Sequence, residues 1–180
     1  MSQIYRKLTK SDESGFTLIE LMVVILIMGI LAAIAIPTFL GARTSAQNKA
    51  AETDLRNLLT SEAVAYTNNQ AYAGPTTLAK LDPAYTNQLS STTSGTTTTP
   101  ATISVTTSTS GSTPAYVCLS EKAASGTYFA IEDVATGSGA GGAGTYYFGP
   151  NSTPQTSTAA TTCTAPPASG FFSSATAAGW

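Results

Sequence analysis

Side chains able to do chemistry are scarce in this sequence, and the one in the most unusual setting is Glu20. It follows Gly15-Phe16-Thr17-Leu18-Ile19 and precedes a run from Leu21 to Ala42 that has no charged side chain. An ionised carboxylate in an apolar helix long enough to cross a bilayer costs about 2.5–3.5 kcal/mol on insertion scales, so it needs a partner or a place at the boundary. A cut after Gly15 would supply the partner. The new amine of Phe16, four residues from Glu20, would have an unperturbed pKa of about 7.7–8.0 and could pair with it within one chain or across two. The plainer alternative is a carboxylate that snorkels to water at the interface.

Other chemistry is excluded residue by residue. There is no histidine in 180 residues, hence no imidazole base or ligand, and neither S-x-x-K nor a paired-Cys zinc spacing occurs. No catalytic residue, metal or cofactor is expected. Glu132-Asp133 is one adjacent acid pair, short of the ligand count calcium needs, and a solvated turn is expected there. Gly137-Ser138-Gly139-Ala140-Gly141-Gly142 matches G-x-G-x-x-G, but strand-like Gly144-Thr145-Tyr146-Tyr147 follows instead of a helix, so a hairpin loop is expected. Cys118 and Cys163, both beyond the apolar run, are expected to form one disulfide in an oxidising compartment, contributing about 3–4 kcal/mol on the chain-entropy model. Two buried free thiols are the alternative. Asn151-Ser152-Thr153 fits an N-glycan acceptor.

The elements that position these residues follow in order. Residues 1–15 read as a leader: Arg6, Lys7 and Lys10 outweigh Asp12 and Glu13, whereas from Phe16 onward five basic residues face eight acidic ones. By the positive-inside rule the leader is cytoplasmic and the rest lies outside. A weakly acidic exterior is no footprint for nucleic acid. Cleavage after Gly15 is expected; a secretory cut at Ala33-Ile34-Ala35 is disfavoured because the apolar run continues past it. Residues 16–42 suit a membrane-spanning helix, with Pro37 expected to kink it and Gly29 and Gly41 as weaker points. Residues 43–69 continue as an amphipathic helix with Ala51, Leu55, Leu58, Leu59 and Tyr66 on one stripe, a Glu52/Arg56 pair, and a stop at Asn68-Asn69. Residues 70–180 form the head. Gln70 to Gln88 reads as a connector, Ser90 to Pro114 as a Ser/Thr-rich tract with a strand at Ile103–Thr106, and strands are expected over 115–119, 127–131 and 145–148. The fold class is therefore α+β, a long N-terminal helix packed on an antiparallel sheet of three or four strands. Phe171, Phe172 and Trp180 need cover from the head or a neighbouring subunit.

Gly15-Phe16-Thr17-Leu18-Ile19-Glu20 with its apolar helix resembles the prepilin signature of type IV pilins and the related pseudopilins. The likeness covers Gly15 to about Ala42, and the remainder resembles the family only in layout. Asp12 and Glu13 depart from the basic or neutral residues usual before the cut. The resemblance implies a membrane peptidase that cuts after Gly15 and N-methylates Phe16, then assembly through Phe16 and Glu20 into a homo-oligomeric helical filament. It also implies a separate platform protein and ATPase, and a route from the cytoplasmic membrane to a surface pilus serving adhesion, motility or DNA uptake. A pseudopilin of a type II secretion or competence system is the alternative within the family. A single-pass membrane-anchored extracellular binding protein is the alternative outside it.

Overall fold

The computed structural model describes residues 15–91, 102–108, 115–136, 142–152 and 171–180. The chain divides into two units, Met1–Ala42 and Arg43–Trp180. One helix, α1 (Leu18–Asn69), runs through both.

In the first unit α1 starts where Thr17 caps it and is apolar on every side. Its side chains from Leu18 to Leu40 are exposed, and none of the residues in its most apolar 18-residue stretch is buried. A helix apolar all round needs lipid or protein around it. It is long and apolar enough to cross a membrane. Pro37 lies inside α1 and the assignment stays α-helical through Gly29, Pro37 and Gly41. Next to the amide that proline lacks, the Thr38 hydroxyl donates to the carbonyls of Ile34 (3.0 Å) and Ala35 (2.9 Å).

In the second unit α1 turns amphipathic. Ala51, Leu55, Leu58, Glu62 and Ala65 are buried, alternating four and three residues apart as one seam requires. Leu59 packs at its edge. The helix ends at Asn69, and Gln70 takes φ 52°, the left-handed conformation common just past a helix end. The expected connector after it contains a second helix, α2 (Pro75–Leu81), and a 3-10 turn (Pro83–Tyr85). Gly74-Pro75 is thus a helix start, since a proline at the first helical position gives up an amide that has no intrahelical partner. Leu78 and Tyr85 drop into the core.

Among the described residues the sheet has five strands in sequence order: β1 (Leu89–Ser91), β2 (Ile103–Thr107), β3 (Ala115–Lys122), β4 (Tyr128–Thr136) and β5 (Gly144–Phe148). Three pairings are antiparallel, but β1 runs parallel to β2, which corrects the all-antiparallel expectation. One face, with Ile103, Val105, Val117, Leu119, Phe129 and Ile131, packs with the α1 seam. On the other, Ala130 and Phe148 pack with Tyr128 and Phe171. A C-terminal turn, α3 (Ala175–Ala178), lies against β5.

Candidate functional site

Glu20 sits at the third helical position of α1. Its Oε2 accepts from the Thr17 amide (2.9 Å) and the Thr17 hydroxyl (2.7 Å), while the Glu20 amide donates back to Thr17 Oγ1 (3.3 Å). This is a reciprocal capping box, and the spacing T-x-x-E before an apolar run was the signal for it. The sequence reading gave Glu20 an ionic role and missed this local one. Both bonds that the described residues make to the carboxylate fall on Oε2, and among those residues Oε1 is left for another donor. Gly15 and Phe16 precede the helix in irregular, exposed chain, with Phe16 91% exposed. A peptidase can reach that junction without unwinding α1. The leader up to Ser14 lies outside the described residues.

Beyond Glu20 the exposed residues Ile19, Met22, Val23, Leu26, Ile30 and Ala33 run along one side of the helix at spacings of three and four. Gly29 interrupts that side, and a Cβ there would meet nothing within 4 Å. Such a surface can bind lipid tails or other apolar helices.

The head carries acids that the sequence reading did not anticipate. Glu132 and Asp133 lie inside β4, pointing to opposite faces of the sheet, so neither a solvated turn nor a shared cation site describes them. Glu132 is fully buried, and among the described residues neither of its oxygens has a hydrogen-bond partner. Burial pushes its carboxyl up to about 8, which makes it a neutral acid at neutral pH. Asp133 accepts from the Tyr72 hydroxyl (2.7 Å) and the Thr145 hydroxyl (2.9 Å). Burial, and then that bond to Asp133, push the Tyr72 hydroxyl upward and keep it a donor. Glu62 and Glu121, on the α1 side of the sheet, are each pushed up to about 7 by burial, with nearby Asp54 adding to the effect on Glu121. Glu52 bonds to Lys49 (2.7 Å), not to Arg56 as its spacing suggested. Arg56 instead lies 5.4 Å over the Trp180 ring. Among the described residues no three Cys, Asp or Glu side chains converge as a metal centre requires.

The head itself covers the terminal aromatics. Phe172 forms a two-way backbone bridge with Tyr147 (2.7 Å each way), and Trp180 packs edge-on against Phe129 and Tyr147. Its indole N–H donates to the Phe148 carbonyl (2.9 Å). Gly149 makes room for that ring, since a Cβ there would come within 2.6 Å of Trp180 Cδ1. Cys118, buried in β3, is disulfide-bonded, and Cys163 lies outside the described residues. Asn151 is exposed with its side-chain amide donating to Ala177 O (3.0 Å), whereas Ser152 is buried; Thr153 lies outside the described residues. So does the glycine-rich loop except Gly142, and the chain continues from it into β5.

Residues 10–36 match the family model of the prokaryotic N-terminal methylation motif. The type IV major pilin protein PilA of Myxococcus xanthus is 44% identical over 59 residues, 33% of this chain and 27% of that protein. The amino-terminal segment thus carries the methylation motif, and the chain is similar over part of its length to a type IV major pilin. The chain is also similar to two type II secretion system proteins. The type II secretion system core protein G of Aeromonas hydrophila is 40% identical over 73 residues, 41% of this chain and 50% of that protein. Its counterpart in Vibrio cholerae is 46% identical over 43 residues, 24% of this chain and 30% of that protein. The chain thus spans half or less of the length of these relatives. No solved structure matches.

Proposed function

We propose that the chain is the precursor of a structural subunit of a type IV pilus. The observation that carries this reading is a 52-residue helix whose apolar first half is wholly exposed, opening with one carboxylate beside a reachable Gly15-Phe16 junction. In the membrane, lipid covers that half. In a filament, neighbouring copies of the same helix cover it, so assembly exchanges one apolar surrounding for another. Removal of residues 1–15 by a prepilin peptidase frees the Phe16 amine, which the same machinery methylates, and the amine pairs with Glu20 of its own or an adjacent subunit. Glu20 Oε1, outside the capping box, is the acceptor for it. Gly29, Pro37 and Gly41 are the points where the helix bends on leaving the bilayer. A cytoplasmic ATPase and a membrane platform drive the transfer, and the head, stapled between Cys118 and Cys163, faces outward for adhesion, motility or DNA uptake. Its role is structural and not enzymatic.

Similarity to the two core proteins G supports a second reading, a subunit of a short secretion pseudopilus. Sequencing the mature N-terminus tests both: a methylated Phe16 is expected, and an intact Met1 or a start at Ile36 would overturn them. Electron microscopy of sheared surface material then separates them, with long filaments expected for the pilus.

A further inference from the structure

The seam between α1 and the sheet holds two acids among apolar side chains. Glu62 occupies the helix's inward row with Leu55, Leu58 and Ala65, and Glu121 of β3 stands between its register partners Ile103 of β2 and Phe129 of β4. Glu62 is 0% and Glu121 4% exposed. Each has one oxygen without a hydrogen-bond partner, Oε1 of Glu62 and Oε2 of Glu121. Among the described residues, the titratable groups that face them bring no positive charge. Around Glu62 these are Tyr66 of α1, Tyr72 of the following loop, and Asp133 of β4, which binds Tyr72. Around Glu121 they are Asp54 of α1 and Tyr85 of the 3-10 turn, which donates to Asp54 (2.9 Å) and feels Asp82 beyond it. The neighbouring cations of α1 are engaged elsewhere, Lys49 on Glu52 and Arg56 over Trp180.

We propose that this seam is a proton-dependent latch: neutral Glu62 and Glu121 hold the second half of α1 against the sheet, and their ionisation loosens it. A buried carboxylate without a cation cannot recover the hydration it loses, whereas a neutral carboxyl loses far less. Glu62 carries a second tie, because its Oε2 accepts from the Ala73 amide at 2.7 Å, eleven residues on. Loosening at Glu62 therefore frees the turn that leads into α2 as well. Both acids have folded pKa values above the ordinary 4.5, at about 7. Their stabilisation is complete below the unfolded value and is lost as pH rises through the folded one. The head is firmest in acidic surroundings.

Thermal unfolding of the full chain in detergent micelles, followed by circular dichroism from about pH 5 to about pH 8, tests the latch. The Tm is expected to fall across that span, with the unfolding constant growing by up to about tenfold per pH unit for each acid. Glu62→Gln and Glu121→Gln keep the side-chain size and an acceptor oxygen, and each is expected to remove its share of the slope. A level or rising Tm, or variants that both retain the full slope, overturns the proposal. If a variant fails to fold, the infrared stretch of protonated carboxyls in Glu132→Gln, which removes the band of the other buried acid, decides: a band persisting at about pH 6, well above the ordinary carboxylate range, supports the latch, and its absence there overturns it.

Discussion

At the scale of single residues, Glu20 serves two electrostatic ends that a substitution can separate. Its capping box with Thr17 satisfies amides at the start of α1 and is worth about 1 kcal/mol. The proposed pairing with the Phe16 amine needs the charge. Glutamine serves in a capping box as glutamate does, so Glu20→Gln is expected to keep the cap, insertion and processing while filament yield collapses. Normal filaments from the glutamine variant, counted by electron microscopy, would leave Glu20 with the cap alone. Glu132 makes a different case. Between about pH 4.5 and about 8 it is neutral when folded and ionised when unfolded, so the stability it supplies is present below about 4.5 and lost as pH rises to about 8. Glu132→Gln is expected to raise the Tm at about pH 9 and leave it nearly unchanged at about pH 5. Melting curves at the two pH values check it. Glu20 stood out because nothing near it is charged, whereas Glu132 looked like one of an ordinary surface pair. Only strand register showed the two carboxyls going to opposite faces.

At the scale of elements, the C-terminal residues close the edge of the sheet. Phe172 pairs with β5, and Trp180 stacks on Phe129, Tyr147 and Arg56 above a glycine that leaves it room. Gly149→Ala is expected to expel the indole and cost about 1–3 kcal/mol, as overpacking does. Trp180 is the sole tryptophan, so a red shift of its emission with a lowered Tm reports the displacement; unchanged emission contradicts this packing. The long helix, its end at Asn69 and the strand at Ile103 were legible because apolar spacing at 3.6 and at 2 is local. α2 was missed because seven residues with one inward leucine show no periodicity, and Gly74-Pro75 reads equally as a turn or as a helix start. β1 was missed because three residues carry no alternation, so its parallel pairing had no local signal.

At the scale of the molecule, the boundary between Ala42 and Arg43 separates a unit with an exposed apolar surface from one with its own core. A chain beginning at Arg43 is therefore expected to be soluble and monomeric without detergent, with a cooperative melt, while the full chain needs lipid or detergent. Light scattering and calorimetry of the shortened chain check this, and aggregation without a transition would contradict it. The sequence by itself determined the long apolar helix, the methylation motif at its start and the two-part plan, because each depends on composition or on residues adjacent along one helix. Tertiary structure alone decided which acids are buried. Ala51, Leu55, Leu58, Glu62 and Ala65 fall on one row by spacing, yet the row does not say that a sheet covers it. Whether a carboxyl keeps its charge depends on what strands distant in sequence bring to it, and here the described residues bring apolar side chains, other acids and no base.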